Sequence, residues 1–177
     1  PLLMKIAVCG SGAISDKEIA KKAFEIGKEI AKNNALLLTG ACNGYPYEAV
    51  KGAFSLNGNV FGISPAKDEK EHKEKYSFST ENFTEIEYTG LGIPGRNFAL
   101  IKEADAVIII SGQTGSLNEF TIAFHYGKVI GILKNSGGIT DIIENIVEVC
   151  NKNDEKENVV YSDGKEIVKL VLNKLNQ

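Results

Sequence analysis

Asp105-Ala-Val-Ile-Ile-Ile110 runs directly into Ser111-Gly-Gln-Thr-Gly-Ser-Leu-Asn-Glu119, so an apolar run meets a helical pattern through a turn of small residues. That layout is a strand ending in an anion site. Glycines let a ligand approach the backbone closely, and the following helix aims unpaired N–H groups and the positive end of its dipole at the same point. Glu119 stands three residues past Ser116. Ser116-x-x-Glu119 has capping-box spacing, so on spacing alone this carboxylate is either a helix cap or a chemical group beside a phosphate pocket.

The same alternation extends in both directions. Lys5-Ile-Ala-Val-Cys9 is a short buried-strand run, followed by Gly10-Ser11-Gly12 and by Ser15-Asp16-Lys17-Glu18, again with capping-box spacing. Ile19, Ala23, Ile26 and Ile30 then fall on one helical face until Asn33-Asn34 ends the pattern. A second cycle follows, with a strand over 35–39, a turn through Gly40 and Gly44, Pro46 suited to a first helical turn, and a helix over 48–56. Strands are expected at 59–63, 84–88, 106–110, 129–133 and 159–161, and helices at 96–104, 117–126, 139–149 and 166–175. Gly90, Gly92, Pro94 and Gly95 read as a loop, and the charge run Lys67 to Lys75 as either a solvated short helix or a mobile loop.

Strands alternating with helices across connections of this length give an α/β fold, a Rossmann-like, doubly wound, mostly parallel sheet with helices on both faces. The 177 residues are expected to form a single nucleotide-binding domain spanning 1–177. In such sheets ligands bind outside the carboxyl ends of the strands, here the loops carrying Gly10, Gly40, Arg96 and Gly112. A net charge of −3 lacks the basic stripe of a nucleic-acid binder, yet a small anion needs only local donors. Cys9, Cys42 and Cys150 form an odd set without CxxC spacing and read as reduced intracellular thiols. His72 and His125 show no metal-ligand spacing and read as solvated or partly buried, so no metal is assigned. No signal peptide and no membrane-spanning run is evident, the cytoplasm is the expected compartment, and Pro1-Leu2-Leu3 ahead of Met4 is expected to be a vector-derived remnant.

Competing ligand classes leave weaker traces. Gly10-Ser-Gly12-Ala-Ile-Ser15 approximates the GxGxxG fingerprint of dinucleotide enzymes, but the second strand ends in Leu38-Thr39-Gly40 without the acid that would take a ribose hydroxyl pair. There is no Walker P-loop and no Gly-x-Ser-x-Gly elbow with a histidine partner. Tyr45 and Tyr47, flanking Pro46, are placed to stack on a base or to pack at a rim.

Thr89-Gly-Leu-Gly-Ile-Pro-Gly-Arg96-Asn97, the strand after it, and Gly112-Gln-Thr-Gly115-Ser116-Leu-Asn-Glu119 resemble the Lonely Guy superfamily, whose hallmark is Pro-Gly-Gly-x-Gly-Thr-x-x-Glu with an upstream Arg. That superfamily includes nucleoside 5′-monophosphate phosphoribohydrolases and, in a branch with Arg-Asn in place of Arg-Lys, molybdenum-cofactor carrier proteins. The Arg96-Asn97 pair is nearer the second branch. Ser111 and Gln113 replace the motif's Pro and second Gly, Ser116 replaces its Thr, and Asn118 stands where many of the hydrolases have a second acid.

The resemblance implies a homodimer or higher homo-oligomer and a small phosphorylated ligand, a nucleotide or the molybdenum cofactor, with no further cofactor required. It makes Glu119 and Arg96 the catalytic candidates, Glu119 stabilising an oxocarbenium-like ribose or orienting water and Arg96 pairing the phosphate or the leaving base. Phosphate and nucleotide contacts fall to Gly10, Ser11, Gly12, Gly40, Gly44, Asn97, Gly112, Thr114, Gly115 and Ser116. Glu48 is the remaining candidate for a second carboxylate. A hydrolase of the N-glycosidic bond and a carrier that holds its ligand unchanged both fit this set.

Overall fold

The computed structural model describes residues 2–151 and 154–177; Pro1 lies outside the described residues. Among the described residues seven strands form one sheet: β1 (Lys5–Gly10), β2 (Leu36–Thr39), β3 (Val60–Ser64), β4 (Glu85–Tyr88), β5 (Ala106–Ile110), β6 (Val129–Leu133) and β7 (Val159–Ser162). Their spatial order is β4-β3-β2-β1-β5-β6-β7. Every pairing is parallel. The chain therefore winds outward from β1 to β4, returns to lie β5 against the other side of β1, and winds outward again. The fold is Rossmann-like, and its winding reverses between β1 and β5, where Gly10 sits opposite Ile110.

The described residues form seven α-helices, α1 (Lys17–Lys32), α2 (Tyr45–Phe54), α3 (Glu69–Glu74), α4 (Gly92–Glu103), α5 (Thr114–His125), α6 (Ile143–Cys150) and α7 (Ile167–Leu175), of which all but α3 pack on the two faces of the sheet. Strand residues alternate between two cores. Ile6, Val8, Leu37, Ile108 and Ile110 pack under α1, α2 and α7. Ala7, Cys9, Leu38, Val107 and Ile109 pack under α4, α5 and α6. Burial on both faces is why the strands read as continuous apolar runs instead of alternating ones.

Helix boundaries differ from the sequence reading where chain geometry overrides residue type. Asp16, not Ser15, caps α1, its carboxylate accepting from the backbone of Glu18 at 2.8 Å and Ile19 at 3.4 Å. Helix α4 opens at Gly92, so Pro94 and Gly95 belong to its first turns and not to a loop; a proline there loses no intrahelical hydrogen bond. Helix α2 likewise opens at Tyr45. The expected helix over 139–149 is divided into a 3-10 turn, Gly138–Asp141, and α6. The charge run resolves into the short helix α3, and within it His72 is buried, not solvated.

Helices α1 and α2 cross at very close range because glycines meet backbone there. A methyl group on Gly27 would collide with the Ala49 carbonyl, and one on Gly52 with the Phe24 carbonyl. Gly27→Ala is therefore expected to destabilise the fold by about 1–3 kcal/mol, although alanine is the better helix former by about 1 kcal/mol. Urea denaturation measures the difference; an unchanged or higher midpoint would contradict the close crossing.

Candidate functional site

The loops that follow β1 and β5 enclose a cavity of about 250 Å³. Gly10, Ser11 and Gly12 contribute one wall, and Thr114, Gly115, Ser116 and Glu119 of α5 another. Gly40 and Cys42 after β2 and Arg96 and Asn97 of α4 close the far side. Gly44 and Gly112 do not line it. Gly44, at φ 80°, backs against the Ser11–Gly12 backbone, and Gly112, at φ 104°, lies where any side chain would strike Ser116. They shape the loops, and the left-handed region that each occupies is open to glycine at little cost.

The strand-to-helix connection at β5 is shorter than the sequence suggests. Gln113 is the N-cap residue of α5 and supplies no side-chain cap, so Thr114, Gly115 and Ser116 form the first helical turn. The capping-box alternative for Ser116 and Glu119 is thereby removed, since both sit inside the helix. No acidic residue occupies that turn. The Ser116 side chain is only 4% exposed, lines the cavity, and has no hydrogen-bond partner among the described residues. Gly12 and Gly115 have nothing within 4 Å of where a Cβ would stand, so their lack of side chain leaves room that the protein itself does not fill.

Two non-glycine residues at strand ends, Ala41 at φ 53° and Ser111 at φ 55°, hold left-handed backbone. Each costs about 1 kcal/mol or more and is held by its surroundings. The Ala41 amide donates to Thr39 Oγ1 at 3.1 Å, and the Ser111 amide to Ser136 Oγ at 2.8 Å. Ser136 also donates to the Leu133 carbonyl at 2.6 Å, which fastens the β5 loop to the end of β6.

Arg96 is 5% exposed and points inward from α4. Its Nη1 donates to the carbonyls of Gly40 and Ile63, and its Nε to Asn97 Oδ1 at 3.3 Å. Asn97 in turn donates from Nδ2 to Asn118 Oδ1 at 3.0 Å, tying α4 to α5. A side chain on Gly40 would occupy the guanidinium's position. That glycine thus makes room for Arg96 as well as lining the cavity. Glu48, by contrast, turns away from the cavity and pairs with Lys51 at 2.6 Å. Neither tyrosine is free to stack on a base. Tyr45 is fully buried, with its hydroxyl accepting from the Asp16 amide at 3.0 Å, and Tyr47 packs on Phe83.

Glu119, 7% exposed, is the one carboxylate among the described residues that line the cavity. Burial pushes its carboxyl up from 4.5 to about 7, against the opposing pull of the Arg96 charge and the Cys9 thiol. Burial also pushes the Cys42 thiol up to about 11 and raises Cys9 well above the ordinary thiol range, so both stay protonated and unreactive. These two cysteines, Phe78 and Ile93 are cavity residues that the sequence reading did not assign to the site. Cys42 was findable from its place between Gly40 and Gly44; Phe78, in the segment without periodicity, carried no signal.

A raised carboxyl pKa makes stability fall as pH rises. Between pH 4.5 and 7 the native state holds the Glu119 proton more tightly than the unfolded chain does, so stabilisation present below 4.5 is lost as pH passes 7. Glu119→Gln does not titrate. It is expected to match wild type near pH 5 and to exceed it at pH 8 by up to about 3 kcal/mol. Denaturant titrations of both proteins across this range test it, and a pH-independent difference would overturn the assignment.

The chain is 32% identical, over 133 residues, to an uncharacterized protein of Archaeoglobus fulgidus, a match covering 75% of this chain and 81% of that one. Among solved structures it resembles the structural-genomics protein TM1055, with 24% identity, a TM-score of 0.82, and 97% and 99% of the two chains covered. It also resembles the molybdenum cofactor binding protein of Rippkaea orientalis, with 23% identity, a TM-score of 0.81 and 99% of each chain covered. At these identities the two structures speak for the fold. The model of the SLOG cluster4 family matches residues 3–168, a span that contains all seven strands and every cavity residue, and the chain belongs to that family.

Proposed function

We propose that the cavity binds the phosphate end of a nucleotide-like cofactor, the pterin molybdenum cofactor being the leading class, and holds it without breaking a covalent bond. The observation that carries this reading is the open first turn of α5. Its amides and the Ser116 hydroxyl, which is open to the cavity, lie at the point where the sheet's winding reverses, with no side chain of the described residues capping the helix. The likeness of fold to the molybdenum cofactor binding protein of Rippkaea orientalis supports the same ligand class.

Holding, and not hydrolysis, agrees with the two residues that catalysis would need. Arg96 spends Nη1 on the carbonyls of Gly40 and Ile63 and Nε on Asn97, and burial raises the Glu119 carboxyl to about 7, which weakens it as a stabiliser of an oxocarbenium ion. A second carboxylate, used by most glycoside hydrolases, is missing from the cavity lining among the described residues. One observation favours the hydrolase as a second reading: a carboxyl titrating near 7 is well matched to general acid catalysis. The homodimer implied by resemblance would form on the exposed apolar surface of Leu91, Phe98 and Tyr126.

Titration with the molybdenum cofactor and with nucleoside 5′-monophosphates, followed by chromatography for free base and ribose 5-phosphate, separates the readings. The expected result is tight binding of a ring-bearing phosphate that is returned intact by both wild type and Glu119→Gln. Base release by wild type, lost in Glu119→Gln with binding retained, would establish the hydrolase instead, and no binding would overturn both. Gly115 gives a further check, because its missing side chain has no packing role. Gly115→Asp suits the helix dipole and should keep the fold, yet it sets a carboxylate where the phosphate belongs, so affinity is expected to fall at least about 100-fold.

A further inference from the structure

We propose that Phe78 is the surface on which the ring system of the ligand stacks, and that His72 holds it there; this rests on the reading that the α5 turn takes the phosphate. Phe78 belongs to the segment between α3 and β4, yet it lines the same cavity as Ser11 and Ser116. Its ring is only partly buried, stacked at 5.6 Å on Tyr76 and met edge-on at 5.5 Å by His72. Ile93, in the first turn of α4 and half exposed, lines the cavity as well. The cavity therefore meets backbone and hydroxyl groups at the β1 and β5 loops and, beyond β2, offers the apolar side chains of Phe78 and Ile93 beside Arg96 and Asn97.

Sheet order sets the distance between these ends. The Ser77 carbonyl accepts from Asn43 Nδ2 at 3.1 Å, which seats the Phe78 segment over the loop after β2, toward β3. From β5 that is two to three strand spacings, roughly 10–14 Å. A free phosphate would fill one end; a phosphate joined through an intervening ring or sugar to a flat heterocycle reaches the other.

The segment is braced for such a role. His72 Nε2 faces the Ser79 carbonyl at 3.1 Å and so carries the ring proton, which leaves Nδ1 of the neutral ring to accept from Ser64 Oγ at 2.8 Å, while the Ala66 amide donates to that same oxygen at 3.1 Å. The Phe78 amide donates to the His72 carbonyl at 3.2 Å, and Tyr47 and Ser79 join through their hydroxyls at 3.2 Å. Residues on both sides of Phe78 are thus tied to the ends of β3 and α2, leaving the phenyl ring as the ordered, part-exposed group facing the cavity. Base-on-aromatic stacking of this kind accepts any flat ring.

The test compares ring-bearing ligands (the molybdenum cofactor, adenosine and guanosine 5′-monophosphate) with ribose 5-phosphate, the last read by displacement. In Phe78→Ala the affinity of the ring-bearing ligands that wild type binds is expected to fall at least about 5-fold, the low end of one stacking contact. Ribose 5-phosphate should stay within twofold, and Phe78→Tyr should restore the ring-bearing ligands. Unchanged affinity for them in Phe78→Ala, or an equal loss for ribose 5-phosphate, would overturn the role of Phe78 while leaving the phosphate site standing. If wild type binds no ring-bearing ligand, the parent reading fails and this one falls with it, and the wild-type titration alone identifies that case.

Discussion

The parallel pairing of β1 with β5 is the constraint from which the site follows. Both strands end at the same edge of the sheet, Gly10 beside Ile110, but the helices that follow leave toward opposite faces, α1 to one core and α5 to the other. Among the described residues the gap between them is left as a crevice. Helix α5 begins three residues after its strand, its N-cap Gln113 makes no side-chain cap, and its first amides border that crevice. The left-handed backbone at Ser111 and Gly112 is what turns the chain so abruptly, and the bond to Ser136 holds the turn.

Much of this was legible in the residues because strands buried on both faces leave an unmistakable run, as at 106–110 and 129–133, where the expected bounds match the observed ones. Helix starts were harder. Capping residues signal a start only when they do the capping, and Ser15 and Ser116 both sat at the right spacing while the chain used Asp16 in one case and no side chain in the other. The site was readable where glycine clusters followed strands, and unreadable where one residue serves another far away in sequence. Gly40 illustrates this. Its missing side chain makes space for Arg96, a relation across 56 positions that local pattern cannot express. Phe78 and His72 were lost for a related reason, since a segment held by bonds to Ser64, Asn43 and Tyr47 needs no periodicity of its own.

Arg96 also explains how a chain with net charge −3 can present a cavity suited to an anion. A buried guanidinium is costly unless its hydrogen bonds are met, and the carbonyls at the ends of β2 and β3 meet them without neutralising the charge. Glu119 is the group that could cancel it. Were that carboxyl to titrate at its ordinary 4.5, it would be ionised at neutral pH, and its charge would offset Arg96 and oppose a phosphate at the α5 turn. Burial instead raises it to about 7, which favours the uncharged carboxyl far more at neutrality than its ordinary value would. The cavity then carries the guanidinium and the positive end of α5 together. Local burial, and not overall composition, sets the sign of the field that an incoming anion meets.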